Sequence, residues 1–228
     1  MKNESNIKVL LFDIYGTLLN MGDIKRKVNR LLDTKRGYII WSEILLHYSL
    51  VDNATEFHPF TDIASAAMKM AAKELGIQTT PGDFEEMMEA LKHLPIHENV
   101  QEGLSALHDQ DLKLWAMTNF SSDIVRERME RTGLVSYFEK IISAEDIKKY
   151  KPGHEAYQYA SRVSETPAKE ILLITSHGWD ICGAMYAGMK TAYIERGGEV
   201  LYPLSPEPDF KAKDLTDLAR QLITEPTA

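Results

Sequence analysis

Four groups of polar residues in this chain hold the functional groups that nucleophilic and acid–base chemistry use. They are a carboxylate at Asp13, a hydroxyl–amide pair at Thr118 and Asn119, an ammonium at Lys151, and a hydroxyl, an imidazole and a carboxylate at Ser176, His177 and Asp180. Each follows a short apolar run: "KVLLF" before Asp13, "LWAM" before Thr118, "KIISA" ahead of the loop "KKYKPG" that holds Lys151, and "LLIT" before Ser176. Taken singly, each has a plainer reading. A strand-end aspartate is commonly a turn or helix cap, a hydroxyl–amide pair marks a helix start, and a lysine before proline faces solvent. All four together are more specific, because ligands of open parallel sheets gather at the carboxyl ends of the strands.

The elements that must position these groups show as an alternation. Strand-like runs at 8–12, 113–119, 139–144, 170–175 and 190–195 are separated by helical patterns. One is "SSDIVRERMERTGL", with Ser121 or Ser122 placed to cap it and Gly133 to end it. Another is "HEAYQYASRV", whose Ala156, Tyr157, Ala160 and Val163 share a face; "GWDICGAMYAGM" is a third, and a closing helix is expected over 211–223. Such alternation predicts an α/β fold, a parallel sheet covered on both faces. Residues 20–97 depart from it. "KRKVNRLLD", "YIIWSEILLHYSL", "TDIASAAMKMAAKELG" and "DFEEMMEALKHL" all carry helical spacing, with Thr-Thr-Pro-Gly at 79–82 between the last two. The expected organisation is a core of residues 1–19 and 98–228, with a helical domain of residues 20–97 inserted after the first strand as a lid.

With 26 Lys and Arg against 34 Asp and Glu, the formal charge is −8, and no basic stripe offers itself to nucleic acid. The single cysteine, Cys182, excludes an intramolecular disulfide and fits a reducing compartment. The opening residues hold too short an apolar run for a signal peptide, and no segment is expected to span a bilayer, so the cytoplasm is the expected location.

"FDIYGTLL", "MTNFS", "YKPG" and "LLITSHGWD" resemble the four motifs of the haloacid dehalogenase (HAD) superfamily, along essentially the whole chain. "DIYGTL", "KPGHEAY" and "SHGWD…GMKTAYIERGG" are most similar to its type II, (S)-2-haloacid dehalogenase branch. The resemblance implies a Rossmann-like HAD core and identifies residues 20–97 as the helical cap. It implies that Asp13 is a covalent nucleophile, forming an ester that is later hydrolysed. Phosphatases of the superfamily carry a second Asp two residues on, as general acid; here that position is Tyr15, a poor donor to a leaving alkoxide that suits the wall of an apolar pocket. They also place two carboxylates four residues apart to complete a magnesium site, where this chain has Ser176 and Asp180. Both departures favour the branch that works without metal. No cofactor is therefore expected, and the substrate implied is a short 2-haloalkanoate. A magnesium-dependent phosphatase, using Asp13, the residue 15 carbonyl and Asp180, is the alternative. A homodimer is the assembly kept open.

By the same resemblance Lys151 keeps Asp13 ionised and offsets a bound carboxylate, while Thr118 and Asn119 donate hydrogen bonds to nucleophile or substrate. Tyr157 and Trp179 border the substrate, and His177, with Asp180, activates the water that opens the ester. Some histidine-bearing relatives replace the glycine of motif I with a Glu partner; this chain keeps Gly16, so that dyad does not form. The main departure is in the cap. Type II dehalogenases place an arginine after a cap tryptophan, to receive halide and carboxylate; after Trp41 this chain has Ser42, followed by Glu43. A neutral hydroxyl in that place forfeits about 1–3 kcal/mol. His47 and Arg36 are the nearby cations, and Leu45, Leu46, Phe57 and Phe60 are candidates for an apolar pocket or for the cap's own core. A catalytically weak binding protein is thus a third reading.

Overall fold

"VLLF" is apolar at every position because it is covered on both faces. It forms β1 (Val9–Phe12), all four residues of which are buried. In the computed structural model, which describes residues 7–110, 112–198 and 200–224, β1 is central in a six-stranded sheet. The other strands are β2 (Lys113–Thr118), β3 (Lys140–Ser143), β4 (Ile171–Thr175), β5 (Lys190–Ile194) and β6 (Phe210–Ala212), in the order β3-β2-β1-β4-β5-β6. Every pairing is parallel, with Val9 aligned to Lys113 on one side and to Ile171 on the other. The chain winds outward through β2 and β3, then returns across β1 to β4. The carboxyl end of β1 is therefore the switch point at which crossovers diverge and leave a crevice.

Four helices intervene between β1 and β2: α1 (Gly22–Leu31), α2 (Gly37–Ala54), α3 (Phe60–Glu74) and α4 (Pro81–Leu91). α2 packs on α1 and α3, and α4 returns against α1. Trp41 is buried in this block and its indole N–H donates to the Ala64 carbonyl at 3.0 Å, tying α2 to α3. The block leaves and rejoins the sheet through paired segments. The Asn20 N–H donates to the Pro95 carbonyl at 2.7 Å, and the His97 N–H to the Leu18 carbonyl at 2.9 Å. The core helices follow: α5 (Val100–His108), α6 (Ser122–Arg131), α7 (His154–Val163), α8 (Gly178–Tyr186) and α9 (Leu215–Thr224). Among the described residues no helix is long and apolar enough to cross a membrane.

The expected closing helix over 211–223 is corrected at its start. Phe210–Ala212 is instead an edge strand on β5, and α9 begins at Leu215. Three residues are too few to show a strand's alternation. Asp214 separates the two elements, its carboxylate accepting from the Asp217 N–H at 2.8 Å in the manner of a helix cap. Helix α5, which the sequence pattern does not mark, buries Val100, Leu104 and Leu107 and packs along α9.

His97 joins the insertion to the turn after Asp13 through its ring, whose Nε2 lies 3.1 Å from the Gly16 carbonyl. Burial, then the charge of Arg196, holds its pKa down at about 4, against the weaker pull of that hydrogen bond. The unfolded chain, with a histidine pKa of about 6.5, binds the proton first. Stability from neutral His97 is therefore complete above about 6.5 and is lost as the pH falls toward about 4. His97→Gln keeps a donor for Gly16 without titrating. Urea midpoints compared at neutral pH and midway down that window are expected to fall less in the variant than in the wild type; equal falls would place the acid sensitivity elsewhere.

Candidate active site

β1 delivers Asp13 to the switch point. Its N–H donates to the Ile174 carbonyl at 3.0 Å, extending the sheet ladder by one residue, and fixes the direction of the side chain. The chain then turns through Gly16, at φ 85°, so that Thr17 Oγ1 donates to Asp13 Oδ2 at 2.7 Å. Thr17 Oγ1 also accepts from the Ser176 N–H at 3.0 Å and lies 3.3 Å from Ser176 Oγ, which joins the ends of β1 and β4. A Cβ on residue 16 would stand 3.0 Å from His177 Cε1 and 3.1 Å from Nε2, so glycine is required both for the turn and for the approach of the imidazole.

Lys151 reaches in from the loop after β3. Its Nζ is 2.8 Å from Asp13 Oδ1 and 2.8 Å from Asp180 Oδ2, and all three side chains are buried. Two amide side chains hold that loop. Asn119 accepts from the Lys151 N–H at 2.9 Å and donates to the Lys151 carbonyl at 3.2 Å. Asn53, on α2, does the same for Tyr150, at 2.7 and 2.9 Å. Asp180 lies in the first turn of α8, and its Oδ1 accepts from the Tyr157 hydroxyl at 2.6 Å.

The electrostatics follow from these contacts. Burial alone would raise the Asp13 pKa, but Lys151, His177 and the hydrogen bonds from Lys151 and Thr17 together hold it below the ordinary carboxylate value. Burial would lower that of Lys151, yet Asp13 and Asp180 raise it. Burial, then Asp180, pushes the Tyr157 phenol well up, so it stays a hydrogen-bond donor. At neutral pH the centre holds two carboxylates around one ammonium.

Of the residues expected from the sequence, Asp13, Lys151, Ser176, His177 and Asp180 come together around Asp13. Thr118 is buried at the end of β2, where its Oγ1 accepts from the Phe120 N–H at 3.1 Å. His177 Nε2 lies 2.8 Å from the Tyr15 carbonyl and 3.5 Å from Asp13 Oδ2. Both partners are acceptors, so Nε2 carries a hydrogen in this arrangement. The imidazole stacks on Trp179, with centroids 5.2 Å apart, and Lys151 Nζ lies 5.8 Å from that indole's centroid. Tyr15 and Phe60 both pack on Phe120, at 4.9 and 4.8 Å between centroids, and Phe60 also meets Tyr150.

Three expectations need correction. Asn119 does not point its amide at Asp13; it clamps the N–H and carbonyl of Lys151. Tyr157 is fully buried and supports Asp180 rather than bordering open space. Ser42 Oγ donates to the Ile39 carbonyl of its own helix at 3.0 Å, and no contact brings it or half-buried Leu46 to Asp13. Arg36 and His47, the nearby cations, are both exposed. Residues missed in the sequence are Thr17, Asn53 and Phe120. Only Thr17 carried a signal, as the hydroxyl four residues after Asp13 in "DIYGT".

The donor set does not suit magnesium. That ion needs several oxygen ligands around itself, whereas Asp13 and Asp180 already direct one oxygen each at the same ammonium. Ser176 offers only a neutral hydroxyl in place of a further carboxylate, and among the described residues no three His, Cys, Asp or Glu side chains are grouped to hold a metal ion.

The model of the haloacid dehalogenase-like hydrolases matches residues 10–194. The chain belongs to that family, as its sheet order and the four strand-end groups already suggested. Among individual proteins, it is 23% identical over 220 residues to (S)-2-haloacid dehalogenase H-109 of Pseudomonas putida, covering 95% of this chain and 98% of that protein. It is 26% identical over 215 residues to the (S)-2-haloacid dehalogenase of Pseudomonas sp. (strain YL), covering 92% and 91%. The L-2-haloacid dehalogenase of Xanthobacter autotrophicus, solved with chloropropionic acid covalently bound, superimposes with a TM-score of 0.85 at 22% identity, over 96% of this chain and all (100%) of that one.

The ion triad makes a stability prediction with a sign. In the wild type, Asp13 is held ionised below its unfolded value of about 3.9, so its contribution is present above that pH and is lost on further acidification. Lys151→Met leaves two buried carboxylates without their counterion and is expected to cost about 3–5 kcal/mol at neutral pH. The variant should recover part of that loss as the pH falls from 7 to 5, because one carboxyl then takes up a proton. Chemical denaturation at both pH values measures this; a variant that only loses stability on acidification contradicts the assignment.

Proposed function

We propose that this chain is a metal-independent hydrolase that releases halide from short (S)-2-haloalkanoates through an ester on Asp13. The observation that carries the reading is the Lys151 ammonium, placed 2.8 Å from both Asp13 and Asp180, where it neutralises the nucleophile without a divalent ion. Similarity to (S)-2-haloacid dehalogenases along nearly the whole chain supports it. So does Tyr15, which gives no acid for a leaving alkoxide, while a halide leaves without needing a proton.

In the first step a carboxylate oxygen of Asp13 forms a bond to C2 as the carbon–halogen bond breaks, inverting that carbon and freeing halide. In the second, water adds to the carbonyl carbon of the Asp13 ester. The tetrahedral intermediate collapses, the departing alkoxide takes up the proton that the water gave and leaves as the 2-hydroxy acid, and the water's other proton passes from the regenerated Asp13 carboxyl to the solvent. His177 directs its Nε2 hydrogen toward Asp13 and so stabilises the oxygen that becomes negative during water addition. Asp180, oriented by Lys151 and Tyr157, receives the proton of the water. The four-helix insertion acts as a cap over this reaction, and a cytoplasmic setting agrees with the lone Cys182. Ser42, whose hydroxyl is taken by its own helix, is the one feature that favours a binding protein with little turnover.

Metal-free halide release from (S)-2-chloropropionate tests the reading. In heavy-oxygen water a single turnover is expected to leave label in the Asp13 side chain, and product without label from the first cycle. Labelled product with unlabelled Asp13 would mean direct attack by water. Asp13→Asn is expected to abolish turnover. His177→Ala is expected to slow the second step, so that intact-protein mass shows an accumulating adduct; turnover that falls with no adduct would remove His177 from ester hydrolysis.

A further inference from the structure

Helix α6 turns Val125, Arg128 and Met129 inward. Two of these are ordinary core residues; the third is a guanidinium only 3% exposed. Its Cζ lies 5.2 Å from the ring centroid of Tyr15 and 5.2 Å from that of Phe120, so it stacks against both. No carboxylate among the described residues pairs with it. Its Nε and Nη1 are buried without a hydrogen-bond partner, and so is the hydroxyl of Tyr15. Donors from two side chains in contact, one of them cationic, therefore lack an acceptor within one aromatic group.

Buried polar atoms ordinarily have partners, and a buried unpaired charge is costly, so a group left in this state points to an occupant that completes it. Burial lowers the Arg128 pKa only to about 10, so it remains a cation at neutral pH. The Tyr15 ring begins two residues after Asp13, and Phe120 two residues after Thr118, which places the cation against the walls of the reaction centre. That centre has one negative charge in excess, since Lys151 faces two carboxylates. A substrate that brings another negative charge needs a further cation. The insertion supplies none: Ser42 is bonded to its own helix, and Arg36 and His47 are exposed.

We propose that Arg128 receives the carboxylate of the substrate, from the core side of the site, with the Tyr15 hydroxyl as a second donor. A planar guanidinium with unpaired N–H groups matches a carboxylate better than it matches a spherical ion. The proposal rests on the reading above for the identity of the substrate, but not for the presence of an anion site. It makes Arg128 specific for acids over their neutral amides.

Calorimetric titration with (R)-2-hydroxypropionate, the inert product, and with its amide separates the two claims. The wild type is expected to prefer the acid, and Arg128→Met to lose about 10- to 100-fold in affinity for the acid with little change for the amide. Arg128→Lys should keep part of the preference. Equal binding of acid and amide by the wild type, or an unchanged preference in Arg128→Met, overturns the proposal. Should Arg128→Met fail to fold, the Nε–H resonance of Arg128 in the wild type, assigned by its loss in Arg128→Lys, decides: it shifts on titration with the acid, and a fixed resonance overturns the proposal. Acid binding that depends on Arg128 without any halide release leaves the anion site standing and removes the dehalogenase reading. Halide release with acid binding indifferent to Arg128 does the reverse.

Discussion

An ammonium held between two carboxylates, in a place water hardly reaches, is the interaction on which this structure turns. Removing any one of those ions from water costs several kcal/mol, and only close, well-directed contacts offset it. Lys151 makes two at 2.8 Å. Each carboxylate has one further hydrogen bond, from Thr17 to Asp13 and from Tyr157 to Asp180. The sheet makes such contacts possible, because β1 and β4 are neighbours, the first ending at Asp13 and the second leading into α8, whose first turn holds Asp180. Apolar strands and a polar centre are thus two aspects of one arrangement: the first removes water, and the second is what the absence of water makes strong.

In the proposed reaction the same centre suits a carbon electrophile. Asp13 is held ionised and paired with Lys151, and two residues on stands a tyrosine whose ring lies against Phe120. The aromatic group Tyr15, Phe120, Phe60 and Tyr150 carries this apolar character from the core into the insertion, since Phe60 starts α3 and its N–H is held by Glu145 of the core.

What could be read from the sequence divides along physical lines. Buried strands such as "VLLF" and "ILLIT" declare themselves by composition, and residues fixed at their carboxyl ends inherit a predictable place. The insertion helices were likewise visible: α1, α3 and α4 bury apolar residues at helical spacing, and α2 is apolar along most of its length. Contacts decided by distant residues were not visible. Asn119 and Tyr157 lie where the motifs put them, yet what they touch depends on partners 32 and 23 positions away. Arg128 is harder still. On a helical wheel it is a charge interrupting an apolar stripe, which long side chains commonly resolve by reaching outward; here the rings of Tyr15 and Phe120 cover it instead. The edge strand Phe210–Ala212 is too short to have any pattern.

Asn53 and Asn119 each take both peptide groups of adjacent residues, Tyr150 and Lys151. A carboxamide donates from its nitrogen and accepts at its oxygen, so one uncharged side chain spans both the N–H and the carbonyl of a residue. Aspartate, leucine or serine in either place would strand at least one of those peptide groups. The spacing from Tyr150 to Lys151 is gauged from two sides, by a helix of the insertion and by the end of β2. Surface loops ordinarily tolerate gains and losses of residues, but a single deletion here would bring the wrong peptide to each amide and carry the ammonium away from Asp13. In this family member, chain length between β3 and α7 is as constrained as the identity of the residues it delivers.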